Sequence, residues 1–151
     1  MILDSGSRRE FTSGAVRDIQ QGKGRCDLLP LDVVCNLYES DHVPAHLAAF
    51  MATRKTSCLY TALYCFAYMA FENVETMLLE VAVHFEEGAL KYGEHNWQKG
   101  LPVNCYIDSA LRHWLKYKRG DTDERHDRAF VWNILCCIWE NDYHKYEEGT
   151  T

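Results

Sequence analysis

The sequence predicts an all-α fold: a bundle of four to five helices with an extended N-terminal arm. Three observations predict it. Apolar residues recur at helical spacing over 74–91 and 104–119, residues 58–71 form an apolar run of helical length, and no segment alternates apolar and polar residues as a strand would. No internal repeat is visible.

Size and composition set the frame. At 151 residues the chain is the size of one domain, with 1–29 a basic, glycine-containing arm, 30–140 the helical catalytic or binding domain and 141–151 a polar tail. With 47% hydrophobic and 25% charged residues it is expected to be globular, not disordered. MILDSGSRRE lacks the apolar run of a signal peptide, and CLYTALYCFAYMAF (58–71) is too short to span a bilayer and is followed by Glu72 and Glu75. No membrane partner is expected. The seven cysteines form no CxxC pair, which argues against a zinc ribbon or a disulfide framework and for a reducing cytoplasm. Cys58 and Cys65 read as small core hydrophobes. The net charge of −6 argues against a general DNA or RNA binder.

The arm carries Gly6, Gly14, Gly22 and Gly24 together with Arg8, Arg9, Arg17, Lys23 and Arg25. Glycines let backbone N–H groups approach an anion, and the cations neutralise it. GKGR has neither the length nor the context of a P-loop. Pro30 opens a helix over 30–40, and a second short helix covers 46–52. Thr56 or Ser57 caps the apolar helix that runs to about Phe71, whose near-continuous hydrophobicity predicts burial on all sides, in a bundle or at a subunit interface. Helix 74–91 has the apolar stripe Val74, Met77, Leu78, Val81, Phe85 and Ala89, with Gly93 as a left-handed C-cap. Helix 104–119 buries Ile107, Ala110, Leu111, Trp114 and Leu115 and ends at Gly120. Asp121, Thr122 or Asp123 caps the last helix, 123–140.

Histidine–carboxylate and arginine–lysine clustering is concentrated in HFEEGALKYGEHNW (84–97), YIDSALRHWLKYKRGD (106–121) and DERHDRAFVWN (123–133). Glu80, His84, Glu87 and Lys91 fall in one helical row that a metal or an acid–base pair can use; the alternative is a solvated face of salt bridges. Asp108, Arg112, Lys116 and Arg119 form a second row flanked by His113 and Tyr117. Asn96 and Trp97 follow in a loop, where an amide and an indole can face a base. Asn133 stands inside an apolar run, either as a satisfied core amide or as a reader of a ligand. An acidic protein with two basic foci and a carboxylate row suits a small polyanion bridged by a divalent cation.

GAVRDIQQGKGRCDLLP, HFEEGALKYGEHNWQKG, DSALRHWLKYKRGD and DERHDRAFVWN, taken together and in this order, resemble the phage and bacterial dATP/dGTP diphosphohydrolases, N-terminal-type domain, and through them the MazG-like all-α nucleoside triphosphate pyrophosphohydrolases. The resemblance covers about 9 to 138 and is weak across 39–73. It implies hydrolysis of dGTP or dATP to monophosphate and pyrophosphate in phage nucleotide-pool metabolism in the host cytoplasm, with Mg²⁺ as cofactor and a homo-oligomer, dimer or tetramer, as the assembly. MazG-like enzymes gather the metal with an ExxE on one helix and an ExxD on the next. Here His84-Phe85-Glu86-Glu87 offers HxxE, Glu124 and Asp127 match ExxD, and Asp123 with His126 competes for that place. Histidine ligands shift preference towards Mn²⁺, Co²⁺ or Zn²⁺.

On this resemblance Glu80, His84, Glu87, Asp123, Glu124 and Asp127 are the candidate metal ligands, and Glu87 and His126 the catalytic residues. Arg112, Lys116 and Lys91 take the phosphates, helped by Lys23 and Arg25 if the arm folds over the site; Asn96, Trp97 and Asn133 take the base, and His113 is a further substrate-binding candidate. Two rivals stand beside the hydrolase: a binder that sequesters a nucleotide without turnover, and a helical module whose charged rows are solvated faces.

Overall fold

A computed structural model describes residues 3–145. The architecture is all-α. Among the described residues six α-helices run in order: α1 (Leu31–Val34), α2 (Val43–Thr53), α3 (Thr56–Ala70), α4 (Val74–Tyr92), α5 (Val103–Arg119) and α6 (His126–Trp139). α6 packs chiefly on α5 and also on α4 and α3, α2 pairs with α3, and α1 rests on α2. No helix among the described residues is long and apolar enough to cross a membrane.

The core forms where the apolar stripes meet. Phe66 of α3 lies 4.4 Å from Phe130 of α6 and 5.2 Å from Tyr117 of α5, ring centre to ring centre. Trp114, Tyr106, Phe50, Phe66 and Phe130 are the largest fully buried side chains. Asn73 caps α4, its side chain accepting from the Thr76 N–H at 2.8 Å. At the end of α5, Gly120 takes the left-handed conformation (φ 89°, ψ 17°), and the next residue closes the turn through its N–H to the Lys116 carbonyl.

Several expectations need correction. The arm is not wholly irregular: Arg8–Glu10 (β1) and Val16–Asp18 (β2) pair antiparallel around a turn at 11–15. Three-residue strands are too short for alternation to register in the sequence. α3 is not buried all round. Leu59, Ala62, Leu63, Phe66 and Ala67 face the core, whereas Tyr60, Tyr64 and Tyr68, spaced i, i+4, i+8, are about half to two-thirds exposed (46%, 54% and 67%). Tyrosine counts as apolar in composition, but its hydroxyl accepts solvent.

The 30–40 helix is one short α-turn followed by a 3₁₀ turn at Cys35–Leu37. Neither Thr56 nor Ser57 caps α3: Lys55 is the N-cap residue and makes no side-chain cap bond. α6 starts at His126 after Arg125, because the Asp123 carboxylate turns to the His126 ring instead of the helix backbone. Gly93 has positive φ (91°) but extended ψ (153°), so α4 ends without a left-handed cap. Glu140 is fully buried in a π-helical turn, Glu140–His144, and accepts the Leu101 N–H at 2.7 Å. The rest of the expected tail, 146–151, lies outside the described residues. All seven cysteines are free thiols.

Candidate functional site

The arm folds back over one side of the bundle and leaves a cleft of about 710 Å³ between itself and α4, α5 and α6. Buried Asn96, just after α4, fastens the arm as a neighbouring strand would. Its Oδ1 accepts the Val16 N–H at 2.9 Å, and its Nδ2 donates to the Val16 carbonyl at 2.8 Å. Asp108 of α5 fastens the 26–28 turn by accepting the Cys26 N–H at 2.5 Å, and pairs with Arg112 at 2.6 Å. Arg112 donates to the carbonyls of Lys23 and Gly24. Ser13 Oγ donates to the Gly100 carbonyl at 2.6 Å. The arm is therefore a wall of the cleft, held by polar contacts to α5 and to the 96–100 turn before it.

At one end of the cleft the last turns of α5 meet the start of α6. His113 Nδ1 and His126 Nδ1 lie 2.9 Å apart, and His126 Nε2 lies 2.6 Å from the Asp123 carboxylate. The hydrogen bond from His126 holds the Asp123 carboxyl below the usual carboxylate range. His126 thus bridges the two groups, one ring nitrogen facing the Asp123 carboxylate and the other facing the His113 ring. Burial pushes the His113 pKa well below the usual histidine value, with the nearby His126 adding to the effect. Burial also raises the Glu124 pKa, and the Glu124 carboxylate has no side-chain hydrogen bond among the described residues.

The donor atoms of His113, Glu124 and His126 all lie within 4.8 Å of one another, as do those of Asp121, Asp123 and His126. The first set fits a divalent cation better. His113 and His126 offer imidazole nitrogens, a carboxylate orients the outer nitrogen of His126 in the way that metal-binding histidines are oriented, and a cation would relieve the half-buried Glu124 charge. In the second set Asp121 is already paired with Arg119. Two imidazoles and one carboxylate favour Mn²⁺, Co²⁺ or Zn²⁺ over Mg²⁺.

The cleft brings together some of the residues expected from sequence and separates others. His84, Asn96, Arg112, His113, Lys116, Glu124, Asn133, Lys23 and Arg25 line it. Burial, with the charges of Arg17 and Arg128 adding to it, lowers the His84 pKa to about 4. Glu80 is outside the lining and pairs with Arg125 and Arg128. Glu87 is also outside it, because the row of α4 that faces the cleft is His84, Gly88 and Tyr92, spaced by four. Lys91 donates to the Leu3 carbonyl at 2.7 Å, and Asp127 pairs with Arg125.

Trp97 packs against Phe85 and Trp139 and is not available to a base. Asn96 has both amide groups occupied by Val16, and Asn133 donates to the Ala129 carbonyl while its oxygen accepts from Arg17. Lys23 pairs with Asp18 and Arg25 with Asp27, whereas Lys116 has no ion-pair partner among the described residues.

Sequence reasoning missed the pairing of His113 with His126. The signal was available: the two sit thirteen residues apart on either side of a short connector, and folding two helices into a hairpin brings such positions together. It also passed over Ser109 and counted Arg17 only among the arm cations; no local spacing connects the two.

Fold and site define an all-α protein with a partly basic cleft and a histidine–carboxylate donor set at one end. A family model described as dATP/dGTP diphosphohydrolase, N-terminal, matches residues 66–149, more than half of the chain, and the chain belongs to that family. The description names a diphosphohydrolase, a hydrolase of acid anhydrides, and implies a nucleotide substrate. No curated protein and no solved structure matches the chain.

Proposed function

We propose that the protein is a metal-dependent pyrophosphohydrolase that cleaves a purine deoxynucleoside triphosphate, dGTP or dATP, to monophosphate and pyrophosphate, in the nucleotide-pool metabolism of a phage. The observation that carries this reading is the donor set His113, Glu124 and His126 beside the unpaired Lys116 ammonium, at the end of a cleft of nucleotide size. His113, Glu124 and His126 would hold the cation, which supplies charge neutralisation and a more acidic water.

The residues divide the remaining work. Lys116 sets its ammonium against phosphate oxygens, where charge grows as the bond to the leaving group lengthens. The carboxylate oxygen of Glu124 that is not on the cation would accept the proton of the attacking water. The water oxygen bonds to the α-phosphorus, the bond from that phosphorus to the bridging oxygen breaks, and pyrophosphate leaves with the electron pair. Asp123 fixes the ring of His126 through Nε2. Asn96, Asp108 and Arg112 hold the arm so that the cleft stays closed to bulk water on that side. An oligomer is consistent with the exposed tyrosine row of α3.

The test is pyrophosphate release from a panel of dNTPs and NTPs with Mg²⁺, Mn²⁺, Zn²⁺ or EDTA. Release from a purine triphosphate that EDTA abolishes and Glu124→Gln removes is the expected result. Nucleotide binding that persists in EDTA with no release under any metal would overturn it in favour of a binder without turnover.

A further inference from the structure

Most cations around the cleft are neutralised: Lys23 by Asp18, Arg25 by Asp27 and Arg112 by Asp108. Arg17 of β2 differs. It is half-buried in the cleft wall, and no carboxylate among the described residues pairs with it. Its Nη2 donates to two neutral acceptors, Ser109 Oγ and Asn133 Oδ1, both at 3.2 Å. Its Nη1 is shut off from water and has no acceptor. The guanidinium lies 5.6 Å from each of the Tyr106 and Trp132 ring centres, so the aromatic walls further reduce its hydration.

A cation desolvated among neutral partners raises the free energy of the fold. An anion bound in the cleft relieves it.

We propose that Arg17 is the residue that receives the anionic, phosphate end of the ligand, with Ser109 and Asn133 as positioning residues that fix its guanidinium. The inference rests on the reading of the cleft as a nucleotide site, and it assigns Asn133 to orienting Arg17 and not to reading a base. A guanidinium binds phosphate through paired, charge-assisted hydrogen bonds, which a lysine cannot reproduce. The fold supplies such a group with one terminal nitrogen unused.

The test separates phosphate from base and binding from turnover. Binding of tripolyphosphate, of α,β-methylene dGTP and of deoxyguanosine is measured by calorimetry in EDTA, for wild type, Arg17→Met and Arg17→Lys. The expected result is tripolyphosphate and analogue binding weakened about ten- to a hundredfold in Arg17→Met, only partly restored in Arg17→Lys, with deoxyguanosine affinity unchanged. Asn133→Ala should weaken tripolyphosphate binding less than Arg17→Met. If Arg17→Met does not fold, Arg17→Lys and Asn133→Ala carry the comparison.

Tripolyphosphate affinity equal in wild type and in the variants that fold would overturn the proposal. So would no tripolyphosphate binding by wild type, or a loss confined to deoxyguanosine. Arg17-dependent binding of tripolyphosphate with no pyrophosphate release from any triphosphate would instead overturn the hydrolase reading and leave this one standing.

Discussion

Asn96→Ala tests whether the arm is held as a wall of the cleft. Asn96 is only 6% exposed, and its amide satisfies both the N–H and the C=O of Val16, at 2.9 and 2.8 Å. Truncation leaves two backbone groups without their partners, at about 1 to 3 kcal/mol each where water cannot replace them. Val16 is half-buried, so water replaces part of each bond and the combined cost is about 2 to 3 kcal/mol. The cost falls on docking of the arm, not on the helices, because Asn96 touches the arm through these bonds alone among those described. A change of this size raises the population with the arm detached about 30- to 160-fold. The assay is the rate of tryptic cleavage after Arg17, Lys23 and Arg25 under native conditions, with helix content followed in parallel. Asn96→Asp keeps the acceptor for Val16 N–H and loses the donor, so its rate should fall between wild type and Asn96→Ala. Cleavage no faster than wild type in Asn96→Ala would refute the reasoning.

Two further outcomes follow from the buried histidines and their partners. The folded His84 pKa lies near 4 against an ordinary 6.5, so below pH 6.5 the unfolded chain binds a proton that the folded chain refuses. Stability is full above pH 6.5 and falls towards pH 4, at about 1.36 kcal/mol per pH unit, or about 3 kcal/mol in all. His113, shifted in the same direction, steepens the fall. Urea unfolding across this range should show the loss, and His84→Phe should flatten part of it; an unchanged pH dependence in that variant would sink the assignment. Asp123→Asn weakens the hold on the outer nitrogen of His126 and should lower Mn²⁺ or Zn²⁺ affinity about 10- to 100-fold with little change in melting temperature, since Asp123 is exposed. Equal affinity in calorimetry would remove Asp123 as an orienting partner.

Which features could be read from the sequence depended on whether their cause was local. The Gly120 stop, the buried face of α5 and most of the apolar stripe of α4 follow from spacing along one helix and were legible, although Leu78 of that stripe is exposed. Row assignments failed where two faces of one helix compete. On α4 the row Glu80, His84, Glu87 and Lys91 was predicted for the site, but of these only His84 faces the cleft, beside Gly88 and Tyr92. Nothing local decides between them; the docking of α4 on α6 and under the arm does. Asn133 was read as an amide that needs a partner, and Asn96 as one free to face a base; their partners are Arg17 and Val16, more than a hundred and some eighty residues away. Such contacts leave no periodic trace. The short hairpin was invisible for the same reason, its register being fixed by the Phe11–Ala15 turn and by the bundle beneath.

The division of the cleft between segments has a consequence for the proposed reaction. The donor set His113, Glu124 and His126 lies within the stretch that the family model matches, whereas Arg17, Lys23 and Arg25 come from the arm that precedes it. The arm meets α5 through Asp108, Ser109 and Arg112, and His113 and Lys116 follow on the same helix within two turns. A helix is stiff over that length, so the position of the arm fixes where phosphate charge sits relative to the donor set. Loosening the arm therefore moves the bound anion relative to the groups that would act on it, and misplacement by an ångström is enough to cost about a hundredfold in rate. On the proposed function, Asn96→Ala should lower kcat at saturating triphosphate as well as raising KM, although Asn96 touches neither the donor set nor Lys116. A rise in KM alone, with kcat intact, would mean that the arm only retains the ligand and does not aim it.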